Sequence, residues 1–204
     1  EDGPTHQSID DSGSVLGFFN TMQIEPADPN QCDRMVRYIA SHYGNVYMRM
    51  GRHKIPVLTK ENGEVFFDKD YEYTYGRCDV LREGTDFTIA AMGPTVHEAF
   101  AAWEMLKEKG VSAEVVMVSS IKKFNAQLFE SIKKTGRVLT VEDHNMHSGL
   151  ASQLLHALRE KNIVPKVYES LGVKEYQLSG TWRDLYKAAG IDRVAIEKTI
   201  EKVI

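Results

Sequence analysis

From Thr85 to Ile204 short apolar runs alternate with helical stripes, and few folds accept that rhythm. "DFTIAAM" (86–92), "SAEVVMVS" (112–119), "RVLTVED" (137–143) and "PKVYESLG" (165–172) read as strands of a sheet covered on both faces. Between them lie helical stripes. Val96, Ala99, Phe100, Trp103 and Leu106 form one, opened by Pro94 and closed by Gly110; Leu128 and Ile132 form the next, between Asn125 and Gly136; Leu150, Leu154, Leu155 and Leu158 form a third. Thr181 begins a short helix that stops at Gly190, and Asp192 begins a last one with Ile196, Ile200 and Val203 inward. Strands alternating with helices predict an α/β domain of three layers, α/β/α, around a mostly parallel sheet.

A smaller strand-helix-strand unit precedes it. Met22-Gln23-Ile24 is the first strand, and Asp28-Pro29-Asn30-Gln31 reads as a capping box with Asp28 as N-cap, Pro29 as first helical residue and Gln31 as reciprocal cap. Cys32, Met35, Val36, Ile39 and Tyr43 repeat at helical spacing, Gly44 is expected as a left-handed C-cap, and a second strand follows at Val46–Met50. Residues 57–80 lose the rhythm, hold a Glu61-Asn62-Gly63-Glu64 turn in a small hairpin, and read as a linker. The organisation is therefore 1–56, an incomplete α/β domain; 57–80, the linker; and 81–204, a domain large enough to stand alone. Fifty-six residues hold too few elements for a stable sheet, and together with the absence of a starting methionine this predicts a piece of something larger.

Several classes of function are excluded by composition. With 25 basic and 29 acidic residues and a net charge of -4, the chain lacks the basic surplus that nucleic-acid binding requires, so no nucleic-acid partner is expected. No apolar run approaches a bilayer's span, so no membrane association is expected either. The two cysteines are isolated and fit a reducing, cytoplasmic setting better than a disulfide framework. There is no GxGxxG, P-loop or GxSxG.

Three stretches could carry chemistry. Arg52-His53-Lys54 follows Gly51 just beyond a predicted strand, where open α/β sheets bind ligands, and an Arg there can grip a phosphate with two parallel hydrogen bonds; a solvated basic loop is the plainer alternative. His6 stands on a bent loop with Asp2 four residues before it, and an imidazole near neutrality can move protons or donate to an oxyanion. Glu142 to His147, "EDHNMH", is dense in metal-capable side chains, but spacing fixes no third ligand beside His144 and His147, so a hydrated loop or a subunit contact is the plainer reading and no metal site is assigned.

Taken in order, Asp2-Gly3-Pro4-Thr5-His6-Gln7, Glu25-Pro26-Ala27-Asp28, Gly51-Arg52-His53-Lys54-Ile55-Pro56 and Thr140-Val141-Glu142-Asp143-His144 with Ser148-Gly149-Leu150 resemble the transketolases, most closely the kind encoded as a separate C-terminal section. The resemblance spans essentially the whole chain. It implies a mixed sheet in the C-terminal domain, and an enzyme that moves a two-carbon ketol unit from a ketose phosphate to an aldose phosphate through thiamine diphosphate and magnesium. His6 would act near the reacting carbons, Asp2 would recognise a sugar hydroxyl and Arg52 would hold the substrate phosphate. His53 and Lys54 depart from the Gln-Asn pair common in long transketolases, and Ser148 replaces a frequent Gly. The GDG motif that holds metal and diphosphate, and the glutamate that protonates the aminopyrimidine, are absent from this chain. Residues 1–56 would then be the back half of a pyrimidine-binding domain, and the chain would be inactive alone, a homodimer or a partner of an N-terminal section. The C-terminal domain would lie away from the cofactor and serve mainly dimer contacts. A deoxyxylulose-phosphate synthase fragment and a non-catalytic oligomerisation or regulatory module are the alternatives.

Overall fold

The computed structural model describes residues 3–204; Glu1 and Asp2, and with Asp2 its assignment to a sugar hydroxyl, lie outside the described residues. The larger unit is a five-stranded sheet in the order β3-β5-β4-β6-β7, formed by β3 (Cys78–Arg82), β4 (Phe87–Met92), β5 (Ala113–Val118), β6 (Arg137–Asn145) and β7 (Val167–Val173). All neighbours are parallel except β3, which runs antiparallel to β5 at the edge, so the sheet is mixed. Helices α3 (Thr95–Glu108) and α7 (Arg193–Val203) cover one face, where Phe87, Ile89, Val115, Leu139, Trp103 and Ile200 share a core. Helices α4 (Ala126–Thr135) and α5 (Leu150–Glu160) cover the other with Leu128, Ile132, Leu154 and Leu158. This is the three-layer α/β/α arrangement that doubly buried strands demand. The short α6 (Trp182–Ala189) closes one end, fixed by the Thr181 hydroxyl accepting from Asp184 N and by the left-handed Gly190 at φ 68°.

The N-terminal unit is a parallel pair, β1 (Thr21–Ile24) and β2 (Asn45–Met48), joined by α2 (Pro29–Ser41). Asp28 caps α2 as expected, its Oδ1 accepting from Gln31 N at 2.7 Å, but the Gln31 side chain reaches one residue further back and accepts from Ala27 N. Two expectations fail here. The helix ends at Ser41 with extended His42, and Gly44 at φ 151° is no left-handed cap. Of the apolar stripe, Met35 is fully buried while Val36 and Tyr43 are exposed, because β1 and β2 are too narrow to cover more of α2. Two short helical segments ahead of β1, a 3-10 turn (Pro4–His6) and α1 (Asp11–Leu16), were not legible in their polar sequences.

Residues 57–77 contain the predicted hairpin, closed by the Thr59–Val65 bridge, yet the stretch is not loose: Leu58 and Phe67 are buried in the core beneath α3. The two units share a seam in which Glu25 N donates to Ser119 O at 2.9 Å and Ala27 is buried among the residues of the larger core. Among the described residues no helix is long and apolar enough to cross a membrane.

Candidate active site

Off the carboxyl ends of β2 and β6 lies a cavity of about 720 Å³, the position where α/β sheets collect ligands. Its walls come from three places: the Gly3–Ile9 segment, the Arg49–Lys54 stretch after β2, and Asp143, Trp182 and Tyr186 of the larger unit. His6 and Arg52 therefore face one space, although 46 positions separate their numbers, and both are exposed to it. Thr5 Oγ1 and His6 Nδ1 are hydrogen-bonded at 2.9 Å, and His6 Nε2 has no hydrogen-bond partner among the described residues. The bend that presents His6 needs Gly3, whose φ of 77° is costly for other residues and whose added Cβ would stand 2.8 Å from Ser179 Oγ.

Beneath this surface is a buried charge cluster centred on Arg49, whose side chain is 12% exposed. Its Nη1 donates to Glu25 Oε1 at 2.6 Å and to Asp143 Oδ1 at 2.5 Å, its Nε lies 3.4 Å from Asp11 Oδ1, and its Nη2 donates to the backbone oxygens of Ser8 and Asp143. Tyr47 donates to Asp11 Oδ2 and Tyr186 to Asp143 Oδ2, each at 2.6 Å. Burial opposes the charge on Arg49, but Asp143, Glu25 and Asp11 together more than offset it and raise its pKa. Burial pushes the Glu25 carboxyl up to about 7 against the pull of Arg49. Burial also works against ionised Asp143, and there Arg49 and the Tyr186 hydroxyl prevail and hold it below the usual carboxylate range.

The "EDHNMH" run is not a hydrated loop as far as Asn145, which ends strand β6. Glu142 is buried and accepts from Leu150 N at 2.6 Å and Ala151 N at 2.8 Å, capping α5 from outside the helix. Burial pushes its carboxyl up to about 8, against those two bonds. A Cβ at Gly149 would overlap Glu142 Oε2, so a glycine is required there. His144 is buried too: its Nε2 accepts from Ser12 N at 3.1 Å and its Nδ1 lies 3.1 Å from Asn145 O, the pattern of a neutral imidazole, and burial followed by Arg49 lowers its pKa. His147 is exposed and separate. Ser148 packs where a Cβ on Gly13 would stand, so the serine meets α1.

Neither Arg49 nor Tyr186 was picked out from sequence. The signal was an arginine in "YMRM" and acids ending "MQIE" and "TVED", opposite charges at strand ends that can be buried only when they pair. The larger unit contributes to this cavity: Asp143, Trp182 and Tyr186 line it together with His6 and Arg52. Thiamine diphosphate and magnesium are not fitted by these residues alone. Among the described residues the carboxylates on the cavity wall, Asp11 and Asp143, are engaged by Arg49, and no three His, Cys, Asp or Glu side chains gather into a group able to hold a metal ion.

Comparison with known proteins agrees with this architecture. The family model "Transketolase, C-terminal domain" matches residues 76–196. The chain is 34% identical over 195 residues to an apulose-4-phosphate transketolase subunit of Actinobacillus succinogenes, covering 94% of this chain and 60% of that one. It is 28% identical over 204 residues to the 1-deoxy-D-xylulose-5-phosphate synthase of Desulfitobacterium hafniense, covering all of this chain and 31% of that one. Among solved structures, one titled "Split gene transketolase, inactive beta4 tetramer" superposes with a TM-score of 0.87 at 30% identity, covering 98% of this chain and 63% of that one. The chain thus spans about three fifths of the length of the apulose-4-phosphate transketolase relatives that it matches. By its fold, its matched C-terminal domain and its identity to these proteins, the chain belongs to the transketolase family.

Proposed function

We propose that this chain is the C-terminal part of a thiamine diphosphate-dependent transketolase and supplies the sugar-phosphate side of its active site. The observation that carries the reading is the shared cavity: an imidazole on one wall and the cationic Arg52-His53-Lys54 turn on another, about 720 Å³ in all, fit a phosphorylated sugar whose reacting end meets His6 and whose phosphate meets Arg52. His6 holds or moves a proton at an oxygen of the substrate beside the bond being made or broken, and Asp2 takes a sugar hydroxyl. In this reading residues 1–56 are the back half of the pyrimidine-binding domain, 57–80 join it to the C-terminal domain at 81–204, and a partner N-terminal section holds thiamine diphosphate and magnesium. The Actinobacillus relative is named for a phosphorylated sugar and as a subunit, which supports a chain that works with a partner subunit; the structural neighbour's title joins a split gene to an inactive tetramer, which supports a chain that self-associates and is silent alone.

The test is ketol transfer by the complete enzyme. Arg52→Ala raises KM for a phosphorylated aldose about 10-fold to 100-fold, the worth of a charged hydrogen bond, and leaves an unphosphorylated acceptor unaffected. Equal losses with both acceptors refute the phosphate role. The deoxyxylulose-phosphate synthase among the relatives is the specific reason for a second arm, pyruvate with glyceraldehyde phosphate; turnover of that pair and not of ketose donors moves the protein to that branch.

A further inference from the structure

Helix α6 belongs to the larger unit, yet two of its side chains reach the stretch that carries Arg52. Trp182 stacks on His53 with centroids 4.7 Å apart and planes at 17°. Tyr186, one turn along the same face, meets the same imidazole edge-on at 6.0 Å. His53 Nε2 is buried without a hydrogen-bond partner among the described residues, so the ring contacts orient this imidazole where a polar anchor is missing. At the other end of the stretch the Tyr186 hydroxyl holds Asp143, Asp143 holds Arg49, and Arg49 donates to Ser8 O, two residues beyond His6. One helix thereby grips both ends of residues 49–53 and, through Arg49, the segment that presents His6. The resemblance assigns this domain mainly to dimer contacts and gives α6 no role.

We propose that Trp182 and Tyr186 are positioning residues for the phosphorylated substrate, fixing the Arg52 turn against the His6 segment through His53 and Asp143. The proposal deepens the sugar-phosphate reading and rests on it for its kinetic consequence, while the positioning itself can be read without turnover. Burial keeps His53 neutral at higher acidity than usual, and the groups that face it are Asp143, which favours its charge, and His97 and Arg183, which oppose it.

Two measurements on the full chain and the complete enzyme decide the matter. Trp103→Phe leaves Trp182 as the remaining tryptophan of the two. Its emission is expected to fall on acidification, as the stacked imidazolium quenches the indole, with a midpoint below the ordinary histidine value of 6.5, and adding His53→Gln removes the response. Emission indifferent to both pH and His53→Gln overturns the stack and with it the proposal. In ketol transfer, Trp182→Leu is expected to raise KM for the phosphorylated acceptor about 5-fold to 10-fold with kcat within about 2-fold, Trp182→Phe to restore most of it, and Tyr186→Phe to shift KM the same way. A fall in kcat at constant KM, or an equal loss with an unphosphorylated acceptor, overturns the positioning role. Absence of ketol transfer in the unsubstituted complete enzyme instead removes the functional reading, and the emission titration then decides the positioning alone.

Discussion

Replacing Arg49 with Met keeps much of the side chain's apolar length and removes the cation that Asp11, Glu25 and Asp143 share. Those carboxylates are 12%, 4% and 14% exposed, so water cannot take over from the guanidinium. Breaking a buried ion pair from one side costs about 3–5 kcal/mol, against a total stability of about 5–15 kcal/mol for typical domains, so the variant folds but is visibly weakened. The loss has a pH signature. With Arg49 present Glu25 already titrates at about 7, and without it Glu25 and Asp143 retain protons to higher pH in the folded state than in the parent. The variant's native state thus binds more protons than the parent's, and its deficit grows as pH rises, by up to about 1.4 kcal/mol per pH unit for each carboxylate concerned. Urea unfolding followed by far-ultraviolet circular dichroism should show the full deficit near about pH 8.5 and a clearly smaller one near about pH 5.5. Arg49→Lys, which keeps the charge but loses the fork, should cost about 1–2 kcal/mol. A deficit under about 1 kcal/mol at high pH, or one that does not change with pH, refutes the account of Arg49 as the neutralising centre.

Glu25 and Glu142 titrate in the folded state at about 7 and about 8, above the ordinary 4.5, so the native chain holds protons that the unfolded chain has released. Stability should therefore fall by about 1 kcal/mol between about pH 7 and 8, after allowing for the buried His53, His97 and His144, whose lowered pKa values act the opposite way and are nearly spent by then. Glu142→Gln should flatten that slope, which a series of urea midpoints would reveal. Gly149→Ala drives a methyl group into Glu142 Oε2 and displaces the cap of α5; a loss of about 2–4 kcal/mol is expected, and combining it with Glu142→Ala should add little further, as a double-mutant cycle measures. Asp28→Ala removes both the bond from Gln31 N and the 2.8 Å bond from Leu58 N, and should lower stability by about 2 kcal/mol in the same assay.

Strands β4, β5 and most of β6 were legible because burial on both faces leaves them largely apolar, the half-buried β7 was legible from its place in the alternation, and Gly136 and Gly190 were legible because each closes a helix in the left-handed region. Strand β3 was not. Its neighbourhood, "RCDVLR", looks like a solvated linker, but Asp79 is buried against Arg77 and the Tyr71 hydroxyl, and the Arg82 guanidinium lies 4.2 Å from the centroid of the Phe100 ring. Charges neutralised by partners elsewhere cannot be told from charges in water by composition. The same holds at the site. His6 and Arg52 stood out because each lies in a compact motif, whereas Arg49 takes its meaning from Glu25, Asp143 and Ser8 O, which are 24, 94 and 41 positions away. Capping failed at Gly44 because the chain leaves α2 through an extended His42, a choice made by how β2 docks and not by the glycine.

The long separations around Arg49 also dictate an order of events during synthesis. Asp11, Glu25 and Arg49 leave the ribosome first, and their partners Asp143, His144 and Tyr186 emerge only after most of the chain has followed. Until then two acids and an arginine have no reason to leave water, and the segment with His6 has nothing to pack on. The entropy of closing so large a loop is repaid only when β6 and α6 have formed. The cavity is therefore among the last features of the chain to mature, and a nascent chain stalled before Tyr186 would carry every motif residue of the site without the site.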